Sequence, residues 1–113
     1  MGMSRALQHP DPEAIDLSAV LDALRDPIRR AIVLMVAEQG EQRCSAFLHC
    51  TTKTNLTYHV TRLREAGVVR VRPEGPARIV SLRREELDKR FPGLLDAVLC
   101  GTRQDPPLAP LAA

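Results

Sequence analysis

Aromatic residues are scarce in this chain: one tyrosine, two phenylalanines and no tryptophan, 3% in all. Proteins that hold single-stranded nucleic acid by stacking bases on rings need more of them, so that class is set aside. Long apolar runs are missing too. None approaches the roughly 18 to 20 residues of a bilayer span, and Met1-Gly2-Met3-Ser4-Arg5 is not followed by a signal-peptide core. A cytoplasmic location with no membrane partner is therefore expected. Three cysteines, an odd number, fit free thiols in a reducing compartment better than a disulfide framework. With no glycine-rich phosphate loop, no H-E-x-x-H and no Ser-His-Asp ordering on a plausible scaffold, an enzyme is not expected.

What the chain does have is an uneven charge. Its 113 residues suit one domain, and 44% hydrophobic content supplies a core, though one small enough to gain from dimerisation. The formal charge is only +2, yet Arg25 to Arg90 holds 14 Lys/Arg against 8 Asp/Glu, and the flanks hold 2 against 6. A basic middle attracts a polyanion and steers encounter with it.

Within that middle, Lys53 to Ala66 reads as a helix capped by Thr51 or Thr52. Leu56, Val60 and Leu63 recur at i, i+4 and i+7 as an apolar stripe. The opposite face offers Thr54, Thr57, Tyr58, Thr61 and Arg62, short hydroxyls, a phenol and a guanidinium in place of the Glu and Lys of a merely solvated helix. Ala66-Gly67 stops the helix. Val69 and Val71 then alternate with Arg70 and Arg72, Pro73-Glu74-Gly75-Pro76 turns, and Arg78 to Leu82 returns, so a basic hairpin tip is expected. A polar-faced helix feeding an arginine-edged hairpin is the layout of a winged helix-turn-helix, a mainly α fold with a small β-hairpin.

In chain order, residues 1–14 read as a flexible lead, with Gln8 to Ala14 offering little reason for order. Leu17, Val20, Leu21 and Leu24 form the seam of a first helix too short to stand alone; it packs within the domain or against a second subunit. Asp26-Pro27 starts a second helix running to about Gln39-Gly40, with Ile28, Ala31, Ile32, Met35 and Val36 inward and Arg29-Arg30 outward. Cys44 to His49 is the candidate third helix, which would complete helix, tight turn, helix with the Lys53 segment. Pro92 can open a last helix with Leu94, Leu95, Val98 and Leu99 on one side. Residues 101–113 read as a flexible tail, leaving 15–100 as the folded unit.

Three segments resemble the signature of the ArsR/SmtB family of winged-helix repressors: Leu24 to Ile32 (LRDPIRRAI), Lys53 to Val60 with Leu63 to Val69 (KTNLTYHV, LREAGVV), and the arginine-edged wing. The resemblance covers roughly Leu17 to Leu99. It implies a homodimer joined through the first and last helices, at Leu17, Val20, Leu21, Leu24, Leu94, Leu95, Val98 and Leu99. It also implies two recognition helices, about 52–66, presented to the major groove of a palindromic operator in double-stranded DNA. The family's DNA-reading positions fall on Thr52, Lys53, Thr54, Asn55, Thr57, Tyr58, His59 and Arg62, with Arg70, Arg72 and Arg78 in the wing, about 68–82, on the backbone or minor groove. His59 lies beside the apolar stripe, where a structural role is favoured over base reading. An alternative from another class is a winged helix used only for protein contacts.

Sensing is less determined. Members of the family respond to metal ions, metalloids or reactive species, but Cys44 and Cys50 sit six apart, about 240° round a helix, and would not face one ion. The last helix offers Asp88, Asp96 and Cys100 but no histidine, which disfavours zinc or nickel there. No cofactor is assigned. Cys44 as a small buried hydrophobe, a thiol switch at Cys44 or Cys50, and a soft metal or metalloid ion on these cysteines with His49 or Cys100 remain open.

Overall fold

The computed structural model describes residues 7–106 and 108 of the chain. Two aspartates set the first two helices. Asp16 accepts the Ala19 N–H at 3.1 Å to cap α1 (Leu17–Leu24), and Asp26 accepts the Ile28 and Arg29 N–H groups at 2.8 and 3.1 Å to cap α2 (Pro27–Gln39). After Gly40 come a two-residue strand β1 (Gln42–Arg43) and a single 3-10 turn, Cys44–Phe47. Then follow α3 (Lys53–Glu65), β2 (Val69–Glu74), β3 (Ala77–Leu82), α4 (Arg84–Arg90) and α5 (Leu94–Gln104). The described residues thus form five α-helices and a three-stranded antiparallel sheet of order β1-β3-β2.

The core lies between the sheet and the helices. Ile32 and Val33 of α2, Phe47 of the 3-10 turn, Leu63 of α3 and Val68, Val69 and Val80 are fully buried together. Gly67 ends α3 with φ +86°; its N–H reaches the Arg64 carbonyl and the Val68 N–H reaches that of Leu63, satisfying orphan acceptors of the last turn. A Cβ at Gly67 would also lie 2.7 Å from Ile15 Cγ1, so glycine is required for both conformation and space.

Several expectations change. The third helix expected at Cys44 to His49 is only the 3-10 turn, and β1 beside it takes its order from pairing with β3, Gln42 opposite Val80 and Arg43 opposite Ile79. Of residues 8–14, read as a lead without reason for order, Gln8, His9 and Pro10 are fastened down, and Pro12–Ala14 forms a 3-10 turn. The Val71 N–H donates to His9 Nε2 at 3.0 Å, Arg83 donates to the Pro10 carbonyl at 2.9 Å, and Arg64 donates to that of Gln8. Gly93, left-handed at φ 84°, precedes α5 in place of a helix opened by Pro92, and α5 continues through Gln104, past the expected boundary at 100. The remaining parts of the expected flexible ends, residues 1–6, 107 and 109–113, lie outside the described residues.

Arg29 carries the largest correction. Expected on the outer side, it is only 3% exposed. Its Nε donates to the Ala23 carbonyl at 2.7 Å and its Nη2 to that of Asp22 at 3.4 Å, while Arg30 donates to the Leu24 carbonyl at 2.9 Å. These are the last acceptors of α1. The two cations at the start of α2 thus sit at the negative C-terminal end of α1, where both hydrogen bonding and the helix dipole favour them.

Candidate nucleic-acid interface

The α3 helix presents its two faces as its sequence pattern demands. Leu56, Val60 and Leu63 are buried, and Thr52, Lys53, Thr54, Asn55, Thr57, Tyr58 and Arg62 are exposed. Thr52, not the buried Thr51, is the cap, its Oγ1 accepting the Asn55 N–H at 3.2 Å. The Thr57 hydroxyl donates to the Lys53 carbonyl at 3.2 Å, which leaves its lone pairs facing out. Tyr58 is 58% exposed, its ring tilted against His59 and standing 6.0 Å from the Arg29 guanidinium. Between Thr52 and Arg62 the helix carries no carboxylate.

Two members of the expected reading set are committed elsewhere. His59 is buried, and its Nδ1 accepts from Arg29 Nη1 at 3.4 Å; burial holds its pKa below the ordinary histidine value, so the ring is a neutral acceptor. It ties α3 to the α1–α2 junction. Arg62 bridges to Asp22 of α1 at 3.1 Å, and hydrogen bonds from Arg25 and then Arg62 hold the Asp22 carboxyl below its usual range.

The hairpin divides its arginines between two faces. Directly paired residues of antiparallel strands share a face, and the register sets Val71 against Val80 and Pro73 against Arg78. Arg78 therefore prolongs the core face toward α3. Arg70 and Arg72 lie on the other side, Arg70 paired with Glu86 at 3.1 Å and Arg72 with Glu41 at 2.8 Å and Glu74 at 3.2 Å. The tip itself carries Glu74. The basic tip expected from the sequence is thus largely neutralised, apart from Arg78.

Charge pairing picks out the same corner. Among the described residues, the cations with neither an ion-pair nor a hydrogen-bond partner are Arg43, Lys53, Arg78 and Lys89. Three of these four line one cavity of about 580 Å³ between the 3-10 turn, α3 and the hairpin, together with Arg64 and no acidic residue. Arg43 and Arg64 were not selected from the sequence. Arg43 lies in a strand too short to be recognised, and Arg64 sits on the flank of the apolar stripe.

Residues expected at a dimer interface also separate. Val20, Leu24, Leu95 and Leu99 are buried within the protomer, whereas Leu17 and Leu21 are 44% and 48% exposed and Leu94 and Val98 half-buried. Leu21 and Val98 border one shallow groove between α1 and α5. Cys44 and Cys50 are half-buried, and burial pushes both thiols up, Arg78 partly opposing it at Cys44. The Cys50 Sγ lies 3.3 Å from His49 Nε2. No group of three or more His, Cys, Asp or Glu able to hold a metal occurs among the described residues.

An uncharacterized HTH-type transcriptional regulator of Bacillus subtilis (strain 168), YceK, is 30% identical to the chain over 82 residues, 70% of this chain and 82% of the relative. The chain belongs to the helix-turn-helix transcriptional regulators. No family model matches it. The fold of this regulator is similar to that of a crystal structure described as an ArsR family transcriptional regulator, with a TM-score of 0.57 and 23% identity over 78% of this chain and 92% of the other. A possible transcriptional regulatory protein from Mycobacterium bovis (fragment 1–100) is similar at a TM-score of 0.58 and 25% identity, over 73% of this chain and 88% of that one. The resemblance seen in the sequence thus holds at the level of fold. As a regulator it is not an enzyme, and no helix of the described residues is long and apolar enough to cross a membrane.

Proposed function

We propose that the protein is a cytoplasmic, sequence-specific repressor of ArsR/SmtB type that binds double-stranded DNA as a homodimer. The observation that carries this reading is the coincidence of two surfaces. A carboxylate-free face of hydroxyls and one phenol on α3 adjoins the cavity where the unpaired cations gather. Thr54, Asn55, Thr57 and Tyr58 reach base edges in the major groove, Thr52 and Lys53 hold phosphate at the start of α3, and Arg78 holds the backbone beside the wing. Arg70 and Arg72 contribute less, because Glu86, Glu41 and Glu74 travel with them. A module used only for protein contacts has no need of unpaired cations beside such a face.

Leu17 and Leu21 of α1, continuous with Val98 of α5, supply the surface for a second copy, and two-fold symmetry then presents two α3 helices to half-sites one helical turn apart. Footprinting on the DNA upstream of the protein's own coding region tests both parts. Two protected segments about 10 base pairs apart, centre to centre, are expected. A Leu17→Asp, Leu21→Asp variant should sediment as a monomer and protect neither. Specific protection by a protein that sediments as a monomer would remove the dimer from the account.

A further inference from the structure

The cavity beside α3, about 580 Å³, is larger than a row of phosphate contacts requires. Its rim carries Arg43, Lys53 and Arg78, but its floor is apolar, made by Leu56, Val60 and Val71, with the half-exposed Leu48 as an outer wall. At about 580 Å³ it falls within the range of about 300–1,000 Å³ found for small-molecule sites. Three unpaired cations without one carboxylate, around a partly enclosed apolar floor, form a site whose charge is answered from outside the protein. No aromatic side chain lines it, so a nucleobase would find no ring to stack on.

We propose that this cavity is an effector site for a small organic anion with an apolar body. Its acidic group is held by Arg43 and Arg78, and its body lies on Leu48, Leu56 and Val60. Since Arg78 and Lys53 are also the cations assigned above to the DNA backbone, ligand and duplex exclude one another, and the ligand acts as an inducer. The regulatory consequence rests on the DNA-binding reading; occupancy of the cavity does not.

Calorimetric titration of the full chain with 2-naphthoate, and with the neutral 2-naphthamide, tests the site. Saturable binding of the acid is expected, with the amide at least about tenfold weaker, because it cannot form the charge-assisted hydrogen bond. Arg43→Gln with Arg78→Gln should weaken the acid by about tenfold or more and leave the amide little changed. Leu48→Asn, which alters no charge, should weaken both. Equal binding of acid and amide, or acid binding indifferent to the two arginines, overturns the proposal. Salt-dependent duplex binding by a protein that ignores naphthoate also overturns it, and leaves the proposed function standing. Naphthoate binding without any duplex affinity supports the site and removes the proposed function instead.

Discussion

The start of α2 and the cavity beside α3 both depend on cationic side chains, and they use them in opposite ways. At the first, the donors of Arg29 and Arg30 go to the carbonyls of Asp22, Ala23 and Leu24 and to His59. At the second, Arg43, Lys53 and Arg78 find no partner among the described residues and face a common space. Charge density along the chain does not tell the two regions apart. The number of internal acceptors within reach does, because a guanidinium that caps a neighbouring helix is part of the fold, whereas one left unpaired is available to an external anion.

The comparison breaks first, and most visibly, at Arg29. Arg29→Ala should destabilise the protein by about 2–4 kcal/mol in urea titration, leaving buried carbonyls and the His59 nitrogen unsatisfied. Arg78→Ala should change stability by no more than about 0.5 kcal/mol. Arg29→Lys should recover only part of the loss, since one ammonium cannot reproduce the fork. Equal stabilities for the Arg29 and Arg78 variants would erase the distinction.

A smaller effect is expected at Tyr58, which lies on the exposed polar face of α3 proposed to read DNA and leans on the Arg29–His59 pair. Tyr58→Ala should cost specific binding about 1–2 kcal/mol and non-specific binding much less. Equal losses would take Tyr58 out of direct readout.

The smallest effect concerns pH. Burial lowers the His59 pKa in the folded state below its ordinary value of 6.5, so the unfolded chain takes up this proton first as pH falls. The neutral ring's contribution is complete above about pH 6.5 and is lost below it. The urea midpoint should therefore begin to fall as pH drops below about 6.5, before carboxylates titrate, and His59→Gln should flatten that fall. His9, whose pKa is also lowered, first by burial and then by Arg70, adds to the same slope. An identical slope in His59→Gln and wild type would mean that His59 does not contribute.

Local signals in the sequence carried most of the helical frame. Asp16 and Asp26-Pro27 mark the starts of α1 and α2, and Thr52 with the stripe Leu56, Val60 and Leu63 marks α3 within a residue of its bounds. The hairpin was legible from Val69 to Leu82 by alternation and its Pro-Glu-Gly-Pro turn. What escaped depends on partners distant in sequence. β1 exists through its pairing with β3, and Gln8, His9 and Pro10 are held by Arg64, Val71 and Arg83, far along the chain. α4 is short and carries only Leu87 into the core. Arg29 looked solvent-facing because a charge defaults outward, and the α1 carbonyls that bury it appear only once α1 and α2 meet. The candidate site was legible as a helix face, but its sorting into paired and unpaired cations was not, since ion pairing is a property of the assembled surface.

The most direct test is the salt dependence of duplex DNA affinity for wild type and for a Lys53→Gln, Arg78→Gln variant, with Arg70→Gln, Arg72→Gln beside it. Every phosphate that a variant no longer neutralises lowers the slope of log affinity against log salt by about 0.9. A drop of about 3.6 is expected for the Lys53–Arg78 variant, two phosphates in each protomer of the dimer, with a clearly smaller change for the Arg70–Arg72 variant. Slopes equal to wild type in the first variant, or the larger drop in the second, would contradict the claim that the unpaired cations beside α3 are the ones that hold DNA.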